Sequence, residues 1–173
     1  LVYMVLGTME FDRIAAALSG ARPSVLLEVG IAMTLVGVGF KLGVVPFHMW
    51  TPDVYQGAPA PTSAFVATVS KGAVLVLALR YFSSVDFWSN RPLLWALTAI
   101  SIASMFAGNL LALLQTRVKR ILAYSSIAHL GYLLVAFLAG GDLGSAAVAF
   151  YLAAYLPTTL GAFGVVSILS SPD

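Results

Sequence analysis

Two lysines lie within long apolar stretches and are the residues most able to carry proton chemistry. Lys41 occurs in MTLVGVGFKLGVVPFHMW and Lys71 in PTSAFVATVSKGAVLVLALRYF, and neither stretch contains an acidic residue. A charged group near the centre of a bilayer costs at least about 2.5 kcal/mol, so it usually faces protein or water and marks an ion pathway. Both side chains are therefore candidates for a proton route.

A third candidate is His129, which shares one helical face with Ser125 and Tyr132 because the three residues follow an i, i+4, i+7 spacing. A polar stripe in a membrane helix faces neighbouring helices or water. A proton-path role for His129 and a simple hydrogen bond between helices explain this stripe equally well.

The two lysines differ in their predicted depth in the membrane. Lys71 follows Pro61 by ten residues, which is roughly 15 Å of helix, or half of a hydrocarbon core about 30 Å thick. Lys71 is therefore too deep to reach the interface easily. Lys41 has a stronger alternative, an interfacial lysine that extends its amine to the headgroups.

The elements that must position these residues are membrane helices. The chain is 60% hydrophobic and 9% charged, with a mean hydropathy of +0.96, whereas a soluble domain is about a quarter charged. Apolar runs of about 20 residues each suffice to cross a bilayer. We predict an all-α polytopic bundle in one membrane domain, residues 1–173, with helices at about 1–6, 25–50, 61–82, 93–116, 119–140 and 143–170.

One of these helices is predicted to be broken. Glycines crowd its second half, and Pro46 lacks the backbone N–H that would continue the hydrogen-bond ladder. The expected break lies between Lys41 and Pro46. Interrupted helices at membrane depth are tolerated inside protein or beside water and recur at ion sites of transporters.

Composition excludes several function classes. The chain has no cysteine and two histidines, which leaves few ligands for a metal and none for an iron–sulfur cluster. It has no glycine-rich phosphate loop after a strand, and its net charge of +2 is too small to suggest nucleic acid. Because it begins within an apolar run without methionine, we expect a piece of a longer protein.

Three ordered stretches carry a family resemblance. They are GFKLGVVPFHMWTPDVYQGAPAPTSAFVATVSK, QTRVKRILAYSSIAHLGYLL and LGAFGVVSILSS. All three resemble, in the same order, the subunit N family of the proton-pumping NADH:quinone oxidoreductase, respiratory complex I. The resemblance covers nearly the whole chain and implies the middle of a fourteen-helix subunit, from its sixth helix to its eleventh, with a discontinuous seventh helix.

The resemblance also implies roles. Lys41 looks like the proton-accepting lysine of the broken seventh helix, and Lys71 like the central relay lysine of the eighth. We hypothesise that Lys41, Lys71 and His129, linked by water, form part of a proton relay, because a moving charge can make a buried amine bind or release a proton. NADH and quinone would be used elsewhere in the complex, with no cofactor bound by this chain.

The implied partners are the other membrane subunits of complex I and the lipid bilayer, with a bacterial inner membrane as the expected location. Two alternatives stay open. A subunit of a multisubunit sodium/proton antiporter shares this architecture and its lysines, and would exchange cations without NADH or quinone. A purely structural membrane subunit would transport protons normally after Lys71 is neutralised.

Overall fold

The computed structural model describes residues 1–19, 24–84 and 91–170. The predicted single domain also includes residues 20–23, 85–90 and 171–173, which lie outside the described residues. The described segments are helices joined by short connections. In chain order they are α1 (Val2–Leu6), α2 (Phe11–Ser19), α3 (Val25–Leu42), α4 (Trp50–Gly57), α5 (Ala60–Phe65), a π-helical turn (Val66–Ser70), α6 (Lys71–Ser84), α7 (Arg91–Leu113), α8 (Val118–Leu138) and α9 (Gly141–Leu169).

The prediction of an all-α polytopic membrane bundle is confirmed. Five helical stretches of the described chain are long and apolar enough to cross a membrane. The second of them joins α5, the π-helical turn and α6 into one span over Ala60–Tyr81. Large apolar side chains such as Phe150 and Ile168 on α9 remain exposed, as expected for surfaces that face lipid or another protein.

Helix α8 forms the centre of the described bundle. It packs against α7 on one side and α9 on another, and α4 also lies against it. Glycines permit the closest approach, because a Cβ added at Gly108 of α7 would lie 2.6 Å from the backbone nitrogen of Ala128. Small residues at such crossings let two membrane helices pack backbone to backbone.

The predicted break is confirmed between Lys41 and Pro46. Helix α3 ends at Leu42, and Gly43 follows with a φ of 73°, a left-handed conformation that glycine adopts without a steric penalty. The Val45–Pro46 peptide is cis, and helical structure resumes with α4 at Trp50. The predicted helix at about 25–50 therefore ends early, at Leu42, and the short helix α4 begins at Trp50, where the predicted helix was expected to end.

Polar groups exposed by the break are paired within the bundle. The indole Nε1 of Trp50 donates to the carbonyl of Phe40 at 2.9 Å, and the backbone N–H of Val45 donates to Ser104 Oγ of α7 at 3.0 Å. Unpaired backbone groups at membrane depth cost several kcal/mol, on the order of a lost hydrogen bond each. The first bond ties α4 to α3, and the second ties the break to α7.

Candidate functional site

Lys71 is the most buried charged side chain of the described chain. Its side chain is 1% exposed, and its Nζ donates a hydrogen bond to Ser126 Oγ of α8 at 3.1 Å. The Nζ atom also lies 5.9 Å from the ring centre of Trp50 and 5.3 Å from that of Tyr55, both on α4. Aromatic faces attract a cation, so α4 and α8 together form the surroundings of the amine.

No carboxylate forms an ion pair with Lys71 among the described residues. The ion pairs found there are Arg13–Glu10 and Arg120–Asp53, both away from the amine. Among the described residues, the neighbours of the amine are a hydroxyl acceptor and two aromatic rings.

A π-helical turn comes immediately before Lys71. It covers Val66–Ser70, and such turns occur often at functional sites because they shift the hydrogen-bond register of a helix. Here the carbonyl of Ala67 accepts a hydrogen bond from the hydroxyl of Tyr155 on α9 at 3.2 Å. The turn thus connects the segment that carries Lys71 to α9.

Ser126 connects Lys71 to Tyr155. The Ser126 hydroxyl lies 2.8 Å from the Tyr155 hydroxyl and 3.5 Å from the Tyr55 hydroxyl. The carbonyl of Ala67 can only accept, so the Tyr155 hydroxyl donates to it, and the Ser126 proton is then free to point to Tyr155. In this arrangement the hydrogen bonds run from Lys71 to Ser126 to Tyr155.

His129 lies one helical turn beyond Ser126 on α8 and faces the same tyrosine. Its ring centre is 5.3 Å from that of Tyr155, and its Nδ1 is 2.7 Å from the hydroxyl of Tyr151. The ring is half-buried. Lys71 and His129 are thus linked through the two side chains of Ser126 and Tyr155, with an aromatic contact rather than a hydrogen bond as the last step.

Lys41 lies apart from this group. Its side chain is exposed, in the last turn of α3 just before Gly43. It forms no hydrogen bond or ion pair with another described residue. The structure therefore brings together two of the three predicted site residues, Lys71 and His129, and leaves Lys41 on the surface of the described bundle.

The polar stripe of α8 differs from its prediction in detail. Ser126, not Ser125, contacts Lys71, and Tyr132 is exposed and accepts a hydrogen bond from Asn109 on α7. Sequence reasoning missed Ser126 and Tyr155. A signal was available, because Tyr151 and Tyr155 share one face of α9 and Ser126 and His129 share one face of α8.

Charged and polar side chains hold the end of α4 against the start of α8. Arg120 Nη1 pairs with Asp53 Oδ1 at 2.6 Å, and its Nε donates to Gln115 Oε1 at 3.1 Å. Lys119 donates to the carbonyl of Ala58 at 3.0 Å. Since α4 carries Trp50 and Tyr55, these contacts help to fix the wall of the Lys71 site.

The described residues offer no metal site. They contain no group of three or more histidine, cysteine, aspartate or glutamate side chains positioned to hold an ion. The groups able to exchange protons near Lys71 are hydroxyls, an imidazole and the amine itself. The chemistry that this arrangement can perform is proton transfer.

Comparison with known proteins identifies a family of membrane proteins. A family profile described as NADH:quinone oxidoreductase/Mrp antiporter, TM, matches residues 1–172. NADH-quinone oxidoreductase subunit N of Methylococcus capsulatus is 50% identical over 177 residues, which cover 100% of this chain and 36% of that protein. The protein of the same name from Nitrosospira multiformis is 58% identical over 174 residues, which cover 98% of this chain and 34% of that protein. The chain thus spans about a third of the length of these relatives.

Two solved structures share the fold. A chain in respiratory complex I from Thermus thermophilus with bound aureothin has a TM-score of 0.68 and 40% identity over 95% of this chain and 39% of its own length. A chain in the Mrp complex from Dietzia sp. DQ12-45-1b has a TM-score of 0.86 over 96% of this chain and 30% of its own length. The second chain is 24% identical, so it supports the fold alone.

Proposed function

The chain belongs to the NADH:quinone oxidoreductase/Mrp antiporter transmembrane family, and from that premise we propose that it acts as a proton-translocating membrane subunit of NADH:quinone oxidoreductase. The observation that carries the proposal is Lys71, a fully buried amine that pairs with no carboxylate of the described residues and whose acceptor, Ser126, leads on to Tyr155. The bacterial relatives named subunit N at 50% and 58% identity support the same complex.

The proposed transfer follows the direction of the hydrogen bonds. Tyr155 first turns its hydroxyl away from the carbonyl of Ala67 toward an acceptor on the side of His129. In one concerted step the Lys71 ammonium then gives a proton to Ser126 Oγ, Ser126 gives its own to Tyr155, and Tyr155 gives its own to that acceptor. One proton moves in total, and each hydroxyl returns to its neutral form.

His129 is the proposed next station. Its ring lies against Tyr155, and a histidine gains and loses a proton near neutral pH more readily than any other side chain. A water molecule between the Tyr155 hydroxyl and the imidazole would complete the step. Tyr151, at 2.7 Å from Nδ1, fixes the orientation of the ring.

Lys41 is the proposed proton acceptor that precedes Lys71 in the relay. Its exposed amine lies at the end of α3 beside the break, where another membrane segment can supply the carboxylate that its charged form would need. Such a carboxylate would load Lys41 when it approaches and unload it when it withdraws.

Oxidation of NADH and reduction of quinone are proposed to take place in other subunits. We propose that this chain binds no redox cofactor and contributes proton translocation to the assembled enzyme. Its partners are then the neighbouring membrane subunits and lipid in a bacterial inner membrane, against which the exposed apolar faces of helices such as α9 pack.

The experiment that tests this function compares NADH oxidation with added sodium ions as the driving force for proton movement. Inverted membrane vesicles would be prepared from a bacterium that lacks the full-length protein and from the same strain with the gene restored. We expect restoration of NADH-driven acidification of the vesicle lumen, with no proton movement after addition of sodium ions alone. Sodium-driven proton exchange without NADH would instead identify a sodium/proton antiporter.

A further inference from the structure

Thr51 of α4 has a buried hydroxyl that no described group pairs. The side chain is 0% exposed, and its Oγ1 has no hydrogen-bond partner. Buried polar side chains are paired in the large majority of cases, and an exception calls for a physical explanation. Thr51 is therefore the most conspicuous polar group outside the chain of hydrogen bonds from Lys71 to Tyr155.

Other threonines of the described helices show why the unpaired hydroxyl of Thr51 is unusual. The hydroxyls of Thr34, Thr68, Thr98 and Thr158 each donate to the backbone carbonyl four residues earlier in their own helix. Thr51 is the second residue of α4, so the residue four positions before it belongs to the break. The break thus frees the Thr51 hydroxyl from the bond that a continuous helix would give it.

The free hydroxyl lies beside the Lys71 amine. A Cβ added to Gly43 would collide with Thr51 Oγ1 and would lie 3.4 Å from Lys71 Nζ. Both polar atoms therefore lie over the same face of Gly43. The ammonium can donate three hydrogen bonds, and its described acceptor is Ser126 on the side of α8, which leaves donors for the side of α4.

We propose that Thr51 is the second acceptor of the Lys71 amine, on the α4 side. This inference rests on the proposed function and assigns a loading position to the same site. The flexible four-carbon stem of lysine lets the amine move between the Thr51 and Ser126 hydroxyls without movement of the helices. An amine bonded to Thr51 is disconnected from Tyr155, so the proton is loaded on one side and released on the other.

This assignment gives a function to the helix break between Lys41 and Pro46. Gly43 leaves room for the two polar atoms, and its left-handed conformation turns the chain so that Thr51 faces Lys71. A continuous helix would give the Thr51 hydroxyl a backbone acceptor. It would leave the amine with Ser126 as its single acceptor.

The test is Thr51→Val in the full-length protein within its complex. Valine keeps the shape of threonine and removes a hydroxyl that has no fixed partner, so the complex should assemble normally. We expect the rate of NADH-driven proton pumping to fall at least about tenfold, as for loss of a hydrogen bond to a charged group. Thr51→Ser keeps the hydroxyl and should restore most of the pumping.

Thr98→Val is the matched control. The Thr98 hydroxyl lies on α7 and bonds to the carbonyl of Leu94 at 2.8 Å, so this variant should pump as the unaltered protein does. If Thr51→Val fails to assemble, Thr51→Ala and Thr51→Ser decide the question in the same assay. Normal pumping by an assembled Thr51→Val or Thr51→Ala complex would overturn the role of Thr51, as would a defect that serine does not relieve.

One further variant separates this inference from the proposed function. If Lys71→Met abolishes pumping while Thr51→Val leaves it normal, Lys71 carries protons without help from Thr51. If Lys71→Met pumps normally, the proposed function of the site fails, and the role of Thr51 fails with it.

Discussion

Lys71 and Lys41 differ in almost every respect except residue type and apolar sequence context. Lys71 is 1% exposed and bonded to Ser126, whereas Lys41 is exposed and has no partner among the described residues. Lys71 begins α6 directly after a π-helical turn, and Lys41 lies in the last turn before the break that ends α3. The neighbouring elements, rather than the apolar sequence, decide which amine is enclosed.

The difference between the two lysines shows how a lone charge is kept inside this bundle. Around Lys71, α4 contributes aromatic faces, α8 an acceptor and α9 the next hydroxyl in line. A charged amine enclosed in this way has a defined direction in which to pass a proton. An exposed amine such as Lys41 has none until another segment covers it.

The largest effect is expected from altering one of two adjacent serines on α8. Ser126→Ala removes the described acceptor of Lys71 and its connection to Tyr155, so NADH-driven pumping should fall by about tenfold or more. Ser125→Ala is the matched control, since Ser125 forms no hydrogen bond with the amine, and it should pump normally. Equal rates in the two assembled variants would show that protons bypass Ser126.

Lys41→Ala should have a smaller effect. We expect a loss of pumping below the about tenfold loss expected for Ser126→Ala, because a neighbouring group or water can take over at an exposed position. Acidification of inverted vesicles by this variant would be compared with that by Lys71→Ala. Equal losses would mean that Lys41 is enclosed in the assembled complex and is as necessary as Lys71.

Arg120→Gln should have the smallest effect on pumping. Asp53 is largely exposed, and exposed ion pairs add little stability and are screened by salt. We expect a slight drop in the thermal midpoint of the purified complex that shrinks as ionic strength rises. Arg117→Gln serves as the control, because Arg117 is also exposed but forms no ion pair with a described residue. A large loss of pumping would instead show that this pair sets the position of α4 against Lys71.

Much of this arrangement could be predicted from sequence. The glycines and Pro46 indicated the break, and the ten-residue distance from Pro61 indicated that Lys71 lies near the middle of its apolar span. Both features depend on local chain properties, namely backbone freedom and helical rise. The family resemblance added the order of the helices and the roles expected of the two lysines.

The partners of Lys71 could not be predicted in the same way. Ser125 and Ser126 are adjacent, yet one residue turns a helix by about 100°, so only the packing of α8 decides which serine meets the amine. Tyr155 and Thr51 come from other elements, and the π-helical turn has no sequence signature. The exposure of Lys41 likewise depends on which helices surround α3.

The most direct test of the account is the number of protons pumped per NADH oxidised by an assembled complex that carries Lys71→Met. Methionine fills similar space without a charge, and replacing a buried charge by an apolar side chain is often neutral or stabilising, so assembly and thermal stability should be kept. The account predicts a lower proton ratio, with pumping through this subunit lost. An unchanged ratio in a fully assembled complex would contradict the relay and leave Lys71 a structural residue.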